Sequence, residues 1–260
     1  MSNEPFFVRE GDTFVPTPSS RGPWDPKSLH GRVIAGLLGN EIERHFGAPE
    51  FIPARLTVDM YRLPDLSPVE VTTRVVREGH RIKVVDAEFI SAGTSMGRAT
   101  CQLLRRTENP AGNVWSPPPW DAPLPKDIPP PTDARSGMGG MWATLPISGT
   151  FGTVGKKRLW MKEVRELIGG EPLSTFTRVA LAADFASPFA NAGDAGLGYI
   201  NSDLTLYLHR LPASEWIGFE AVNHHATDGV AIGECWLHDE TGPIGTSTVC
   251  ALAQRRGMRG

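Results

Sequence analysis

Leu56-Thr57-Val58-Asp59-Met60-Tyr61-Arg62-Leu63-Pro64 is answered 148 residues later by Leu204-Thr205-Leu206-Tyr207-Leu208-His209-Arg210-Leu211-Pro212, with Leu, Thr, Arg, Leu and Pro at matching places. The same offset carries Gly97 onto Gly245, Thr100 onto Thr248 and Leu104 onto Leu252. An offset of 146 aligns Pro26, Ser28, Arg32 and Val33 with Pro172, Ser174, Arg178 and Val179. Similarity that recurs in register at several places marks a duplicated unit. The 260 residues therefore read as two copies of one element set.

Between the copies, nine of the chain's 23 prolines fall within residues 110–131, including Trp115-Ser116-Pro117-Pro118-Pro119-Trp120. Proline removes a backbone donor and fixes φ, so neither a helix nor a central strand is expected there. A stiff, extended connector is expected, with Ser136-Gly137-Met138-Gly139-Gly140 as its flexible exit. This predicts an N-terminal domain over 1–107, a linker over 108–135 and a C-terminal domain over 136–260.

Each copy opens on one helix. Val33, Leu37, Leu38, Ile42 and Phe46 recur at helical spacing and predict a helix over 28–46. A small-residue core, Val179-Ala180-Leu181-Ala182-Ala183, predicts a second over 173–187, ended by Pro188. Runs rich in β-branched and aromatic residues follow each helix: 69–76, 82–90 and 95–104, then 203–209, 216–223, 231–238 and 245–253. Short turns between such runs make neighbours antiparallel. The class is α+β, a tandem (double) hot-dog: each unit is a long helix wrapped by a curved antiparallel sheet.

Charge and composition narrow the function. A net charge of −3 offers no basic field for nucleic acid, and no lysine-rich run would hold a membrane surface. No apolar stretch is long enough to insert stably in a membrane. Cys101, Cys235 and Cys250 form no even set and no C-x-x-C pair, and they read as buried thiols of a cytoplasmic protein. No Gly-rich phosphate loop precedes a helix, and scattered His224, His225 and His238 lack ligand spacing, so no cofactor and no metal are expected.

The order Gly22-Pro23-Trp24, His30-Gly31, then Arg55-Leu56-Thr57-Val58-Asp59 resembles the first half of the thioesterase-like, type II acyl-CoA thioesterase family. Trp160, Gly170-Glu171-Pro172-Leu173-Ser174, Arg178, Ala183-Asp184, Asn201-Ser202-Asp203-Leu204, His209-Arg210 and Glu215-Trp216 are similar to its second half. The resemblance implies an acyl-CoA substrate, a homo-oligomer, and hydrolysis by a water that an aspartate, a threonine and a glutamine orient. Asp184 matches the aspartate. Asn201 stands at the threonine position and Cys250 at the glutamine position, with Gln102 of the first copy opposite Cys250.

The residues bear on these roles in their own right. Asp184, among small apolar neighbours, would be partly desolvated and so a stronger base, although Thr177, Asp184 and Asn191 also fit a solvated helical stripe. Asn201 can donate and accept hydrogen bonds, whereas a Cys250 thiol is a weak partner, by default a strand cysteine and a nucleophile only beside a base. His30 and Gly31 form the helix entry, where backbone N–H groups could hold a substrate carbonyl. Asp25 and His30 also have the Asp-x4-His spacing of hot-dog hydratases, against the alternative that Asp25 caps the helix. Thiol release, loss of enoyl absorbance, or binding without turnover would separate a thioesterase, a hydratase and an acyl-CoA-binding module.

Overall fold

The computed structural model describes residues 4–129 and 140–254. Its strands are β1 (Phe7–Glu10), β2 (Thr13–Pro16), β3 (Phe51–Met60), β4 (Val69–Glu78), β5 (Ile82–Ser91), β6 (Thr94–Arg105), β7 (Trp142–Ser148), β8 (Arg158–Glu163), β9 (Ala192–Gly193), β10 (Gly196–Leu197), β11 (Tyr199–Asn201), β12 (Asp203–Leu208), β13 (Trp216–Thr227), β14 (Val230–Asp239) and β15 (Gly242–Ala253). Among the described residues three α-helices accompany them: α1 (Gly31–Phe46), α2 (Thr175–Ala183) and α3 (Ala186–Asn191).

Thirteen strands form one antiparallel sheet, in the order β1-β2-β4-β5-β6-β3-β12-β15-β14-β13-β8-β7, with β11 added against β15. The duplicated segments are its centre. β3 pairs with β12 antiparallel so that Thr57 lies opposite Thr205, its own counterpart, and their hydroxyls are 3.2 Å apart. An approximate two-fold axis passes between them. The offset of 148 persists outward: Thr57 faces Thr100 and Thr100 faces Asp86, just as Thr205 faces Thr248 and Thr248 faces Glu234. Strand periodicity turns Leu56, Val58, Leu204 and Leu206, all 0% exposed, to the inner face, where the helices lie.

The helices meet across the same axis. A Cβ on Gly36 would collide with the Leu181 side chain, and one on Gly39 would press the Ala180 methyl at 3.1 Å, so α1 presents bare backbone where α2 approaches. Both helices start later than predicted, because His30 and Ser174 are caps: the Arg32 N–H reaches His30 Nδ1 and the Thr177 N–H reaches Ser174 Oγ. The caps are 144 residues apart, which moves the helix correspondence two residues from the sequence alignment. The predicted second helix also divides. α2 stops at Ala183, Asp184 and Phe185 make the junction, and Pro188 sits in the first turn of α3 instead of ending a helix. First-turn N–H groups lack intrahelical partners, so proline is tolerated there.

Within the expected linker over 108–135, residues 108–124 carry no helix or strand, and Pro125–Asp127 make one turn of 3-10 helix that the prolines did not announce. Residues 130–135 lie outside the described residues. Trp120 anchors the segment on the outside of the C-terminal sheet. Trp120 stacks on His238 with ring centres 4.3 Å apart and meets Trp160 edge-on at 5.0 Å. Residues 136–139 of the expected glycine-rich exit lie outside the described residues. Cys101 and Cys235 are buried as expected, but Cys250 is exposed.

Candidate active site

A cavity of about 810 Å³ opens between the two units, lined by the entry to α1, the chain leaving β3, strands β7 and β8, and the α2–α3 junction. Asp184 is the one carboxylate among its described lining residues. Its place follows from the divided helix. The Ala183 carbonyl, freed where α2 ends, accepts from Ser247 Oγ at 2.8 Å, and the Asp184 carbonyl accepts from the Ser187 N–H at 3.1 Å. The backbone on both sides of the carboxylate is thereby fixed.

His30, Gly31 and Asn201 converge on that carboxylate. Asn201 Nδ2 donates to Asp184 Oδ1 at 3.0 Å and to the Asp203 carbonyl at 3.1 Å. His30 Nδ1 lies 3.4 Å from Asp184 Oδ2 and also 3.3 Å from the Arg32 N–H. A proton on Nδ1 serves the carboxylate, and without it Nδ1 accepts from the backbone. Gly31 is there because nothing larger fits: a Cβ would stand 2.9 Å from Asp184 Oδ1 and 3.1 Å from Met60 Cε. The Gly31 N–H has no protein partner among the described residues.

Cys250 is not brought to this group. It faces outward on β15 opposite Ile232 and engages the neighbourhood through its backbone, the N–H donating to Asp203 Oδ1 at 2.6 Å and the carbonyl accepting from the Ser202 N–H at 3.0 Å. Its neighbours Val249 and Ala251 are the inward pair, since strand side chains alternate. Partial burial and the Asp203 charge push its thiol pKa up, so a thiolate nucleophile is disfavoured. Asp25 is also apart: it is exposed, its Oδ1 accepts from the Lys27 N–H at 2.8 Å, and it closes a turn, so the carboxylate partner of His30 is Asp184.

Asp184 is 4% exposed. Burial alone would raise its pKa, as the sequence suggested. The His30 and Asn201 hydrogen bonds, with the His30 and Arg32 charges, outweigh burial and hold the carboxyl below its ordinary range. It is an ionised group at every physiological pH.

Sequence reasoning missed the support beneath it. Arg32, one residue into α1 from Gly31, is buried in an ion pair with Glu163 on β8, and its guanidinium lies 4.2 Å over the Trp142 ring. Burial disfavours both charged forms, drawing the Arg32 pKa down and pushing the Glu163 pKa up. Trp142 meets His30 edge-on at 6.1 Å and Phe185 at 5.6 Å. No sequence spacing could signal a pair 131 residues apart. Among the described residues, no group of three or more His, Cys, Asp or Glu is placed to hold a metal ion.

This architecture, two helices side by side under one continuous antiparallel sheet with a site at their seam, is a double hot-dog. The family models agree in both halves: an acyl-CoA thioesterase N-terminal domain matches residues 20–106 and an acyl-CoA thioesterase C-terminal domain matches 119–251. The chain belongs to the acyl-CoA thioesterase family, whose members hydrolyse thioesters. Among solved structures it is similar to a tesB protein of Mycobacterium avium subsp. paratuberculosis, at 16% identity with TM-score 0.71, covering 95% of this chain and 96% of that one. It is also similar to an acyl-CoA thioesterase II, TesB2, of Mycobacterium marinum, at 13% identity with TM-score 0.65 and 95% of each chain covered. A conserved hot-dog protein of unknown function from Alicyclobacillus acidocaldarius gives 15% identity, TM-score 0.73 and 96% of each chain. A comparison with curated protein sequences returns no match. Among the described residues no helix is long and apolar enough to cross a membrane.

Proposed function

We propose that the protein hydrolyses a fatty acyl-CoA to the free acid and CoA, with a water held by Asp184 and Asn201 as the nucleophile. The observation that carries this is a single buried carboxylate, bonded on both oxygens' sides, in a largely apolar cavity. The amide of Asn201 spends both hydrogens on Asp184 and Asp203, leaving Oδ1 as an acceptor. A water donating to Asp184 and to Asn201 Oδ1 would point a lone pair at the thioester carbonyl carbon. As the C–O bond forms, its proton passes to Asp184, and negative charge collects on the carbonyl oxygen, for which the unpaired Gly31 N–H at the start of α1 is a donor. Collapse breaks the C–S bond, and the thiolate takes up a proton to leave as CoA. Because the Asp184 pKa is low, its contribution is orientation and charge more than basicity. Cys250 has no part in this scheme.

Asp184→Asn keeps shape and removes the proton acceptor. The expected loss in kcat is about 10²- to 10⁴-fold with acyl-CoA binding retained, measured by thiol release and by equilibrium binding; unchanged turnover overturns the mechanism. Asn201→Ala should cost about 10- to 100-fold, the worth of a hydrogen bond to a charged group. The division at 1–107, 108–135 and 136–260, the cytoplasmic location and self-association belong to the same proposal.

A further inference from the structure

Resting on the thioesterase reading, we propose that acyl-CoA lies in the cavity in one direction, its acyl chain running past Phe185 to end at Phe151 and its phosphates turned toward Arg62. The acyl end is marked by aromatic rings stacked outward from the carboxylate. Phe185 follows Asp184 directly and lies 5.3 Å from Phe189, and Phe151 touches both, at 5.7 and 6.0 Å between ring centres. Phe151 lines the cavity yet is 49% exposed, so its ring is the wall between slot and solvent. It is carried by the connection from β7 to β8, where Gly149, Gly152 and Gly155 have φ of +66°, +86° and +140°. Such backbone favours glycine, and a loop with three of these positions can be reset by a longer chain pushing on its ring.

The second mark in the lining is charge, on the segment that leaves β3 and not on the β7–β8 connection. Besides His30, two cations line the cavity. Arg32 is consumed by Glu163 and Trp142. The Arg62 guanidinium has no hydrogen-bond or ion-pair partner among the described residues. Its segment begins at Met60, beside Gly31, and rises to the surface at Tyr61 and Leu63, which are 51% and 52% exposed. An unpaired guanidinium at the rim of a thioester site suits a phosphate, which it grips with a planar fork.

Two substrate series separate the ends: acyl-CoA esters and acyl-N-acetylcysteamine thioesters, which keep the thioester and lack the phosphates. Arg62→Gln is expected to raise KM for each acyl-CoA about tenfold more than for the N-acetylcysteamine ester of the same chain, the worth of one charge-assisted bond. Phe151→Ala should shift the preferred chain to greater length, and Phe151→Trp to shorter, in both series. An equal effect of Arg62→Gln on both series, an unchanged chain-length order in both Phe151 variants, or an exchange of the two signatures overturns the orientation. Absence of turnover by the unmodified protein on either series would instead remove the thioesterase reading itself.

Discussion

At the scale of single residues, the site holds a carboxylate in the state it needs without exposing it. Isolated burial would protonate Asp184, and the partners from α1 and β11 reverse the direction. A carboxyl with lowered pKa stays ionised as pH falls through the ordinary carboxylate range. The acid limb of kcat against pH is therefore expected below the ordinary Asp value of about 3.9, and in Asn201→Ala, with one of those bonds gone, it should move upward. An acid limb at the same pH in both proteins would show that Asn201 does not set the charge. Gly31→Ala tests the same geometry: its methyl would displace the carboxylate or Met60, so kcat should fall well before stability does, with thermal unfolding as the control. His30-Gly31 was legible in the sequence because a helix entry is a local feature, and Asp184 because the family resemblance and its small apolar neighbours single it out. The helix end that places Asp184 was not legible, the expected helix running on to 187. Nor was the failure of Cys250, since its inward or outward aim depends on strand parity across a bulged sheet.

At the scale of elements, the duplication made two of everything and kept one site. Ten residues beyond its cap, the α1 chain carries Asn40 where the α2 chain reaches Asp184. Strand register puts Pro53 where the other unit has Asn201, and proline has no donor to offer. The dyad-related position therefore has neither the acid nor its bonding partner, and Glu43, which accepts from Ser174 Oγ, serves the start of α2. The repeat in the sequence showed two folds, while loss of one site needed the register. The pair holding α1 to β8 makes a prediction of its own. Arg32→Met leaves Glu163 as an uncompensated buried charge and should cost about 3–5 kcal/mol, whereas Arg32→Met with Glu163→Leu should recover most of that in urea unfolding. If the double variant were no better than the single, the pair's cost would lie in packing against Trp142 and Phe6.

Over the whole molecule, two stitches outside the repeat close the structure. The N-terminal strand leaves its own unit: the Phe6 and Phe7 N–H groups donate to the Glu166 and Leu167 carbonyls at 3.0 and 2.8 Å, and both rings are fully buried. The linker makes the second, laying Trp120 over Gly218, where any side chain would collide with it, and over His238. The prolines announced an extended connector, but not the surface it would cover, because docking is decided by a glycine in β13 and a histidine in β14. This docking has a pH signature. His238 is buried beneath Trp120 with neither ring nitrogen hydrogen-bonded, and desolvation lowers its pKa to about 4 despite Glu220 at 3.8 Å and the neighbouring Asp239. In the unfolded chain the ring protonates near 6.5, so between about 6.5 and 4 the unfolded state binds more protons. Stability should be full above pH 6.5 and fall by up to about 3 kcal/mol as pH drops to 4. Asp239, held lower by burial-resistant bonds from Arg210, Ala213 and Thr241, titrates beneath that window. His238→Phe keeps a flat ring against Trp120 and removes the proton, so its urea midpoint should change far less between pH 7 and pH 4.5 than that of the unmodified protein. Parallel pH dependences in the two proteins would mean that His238 is not kept neutral by the linker.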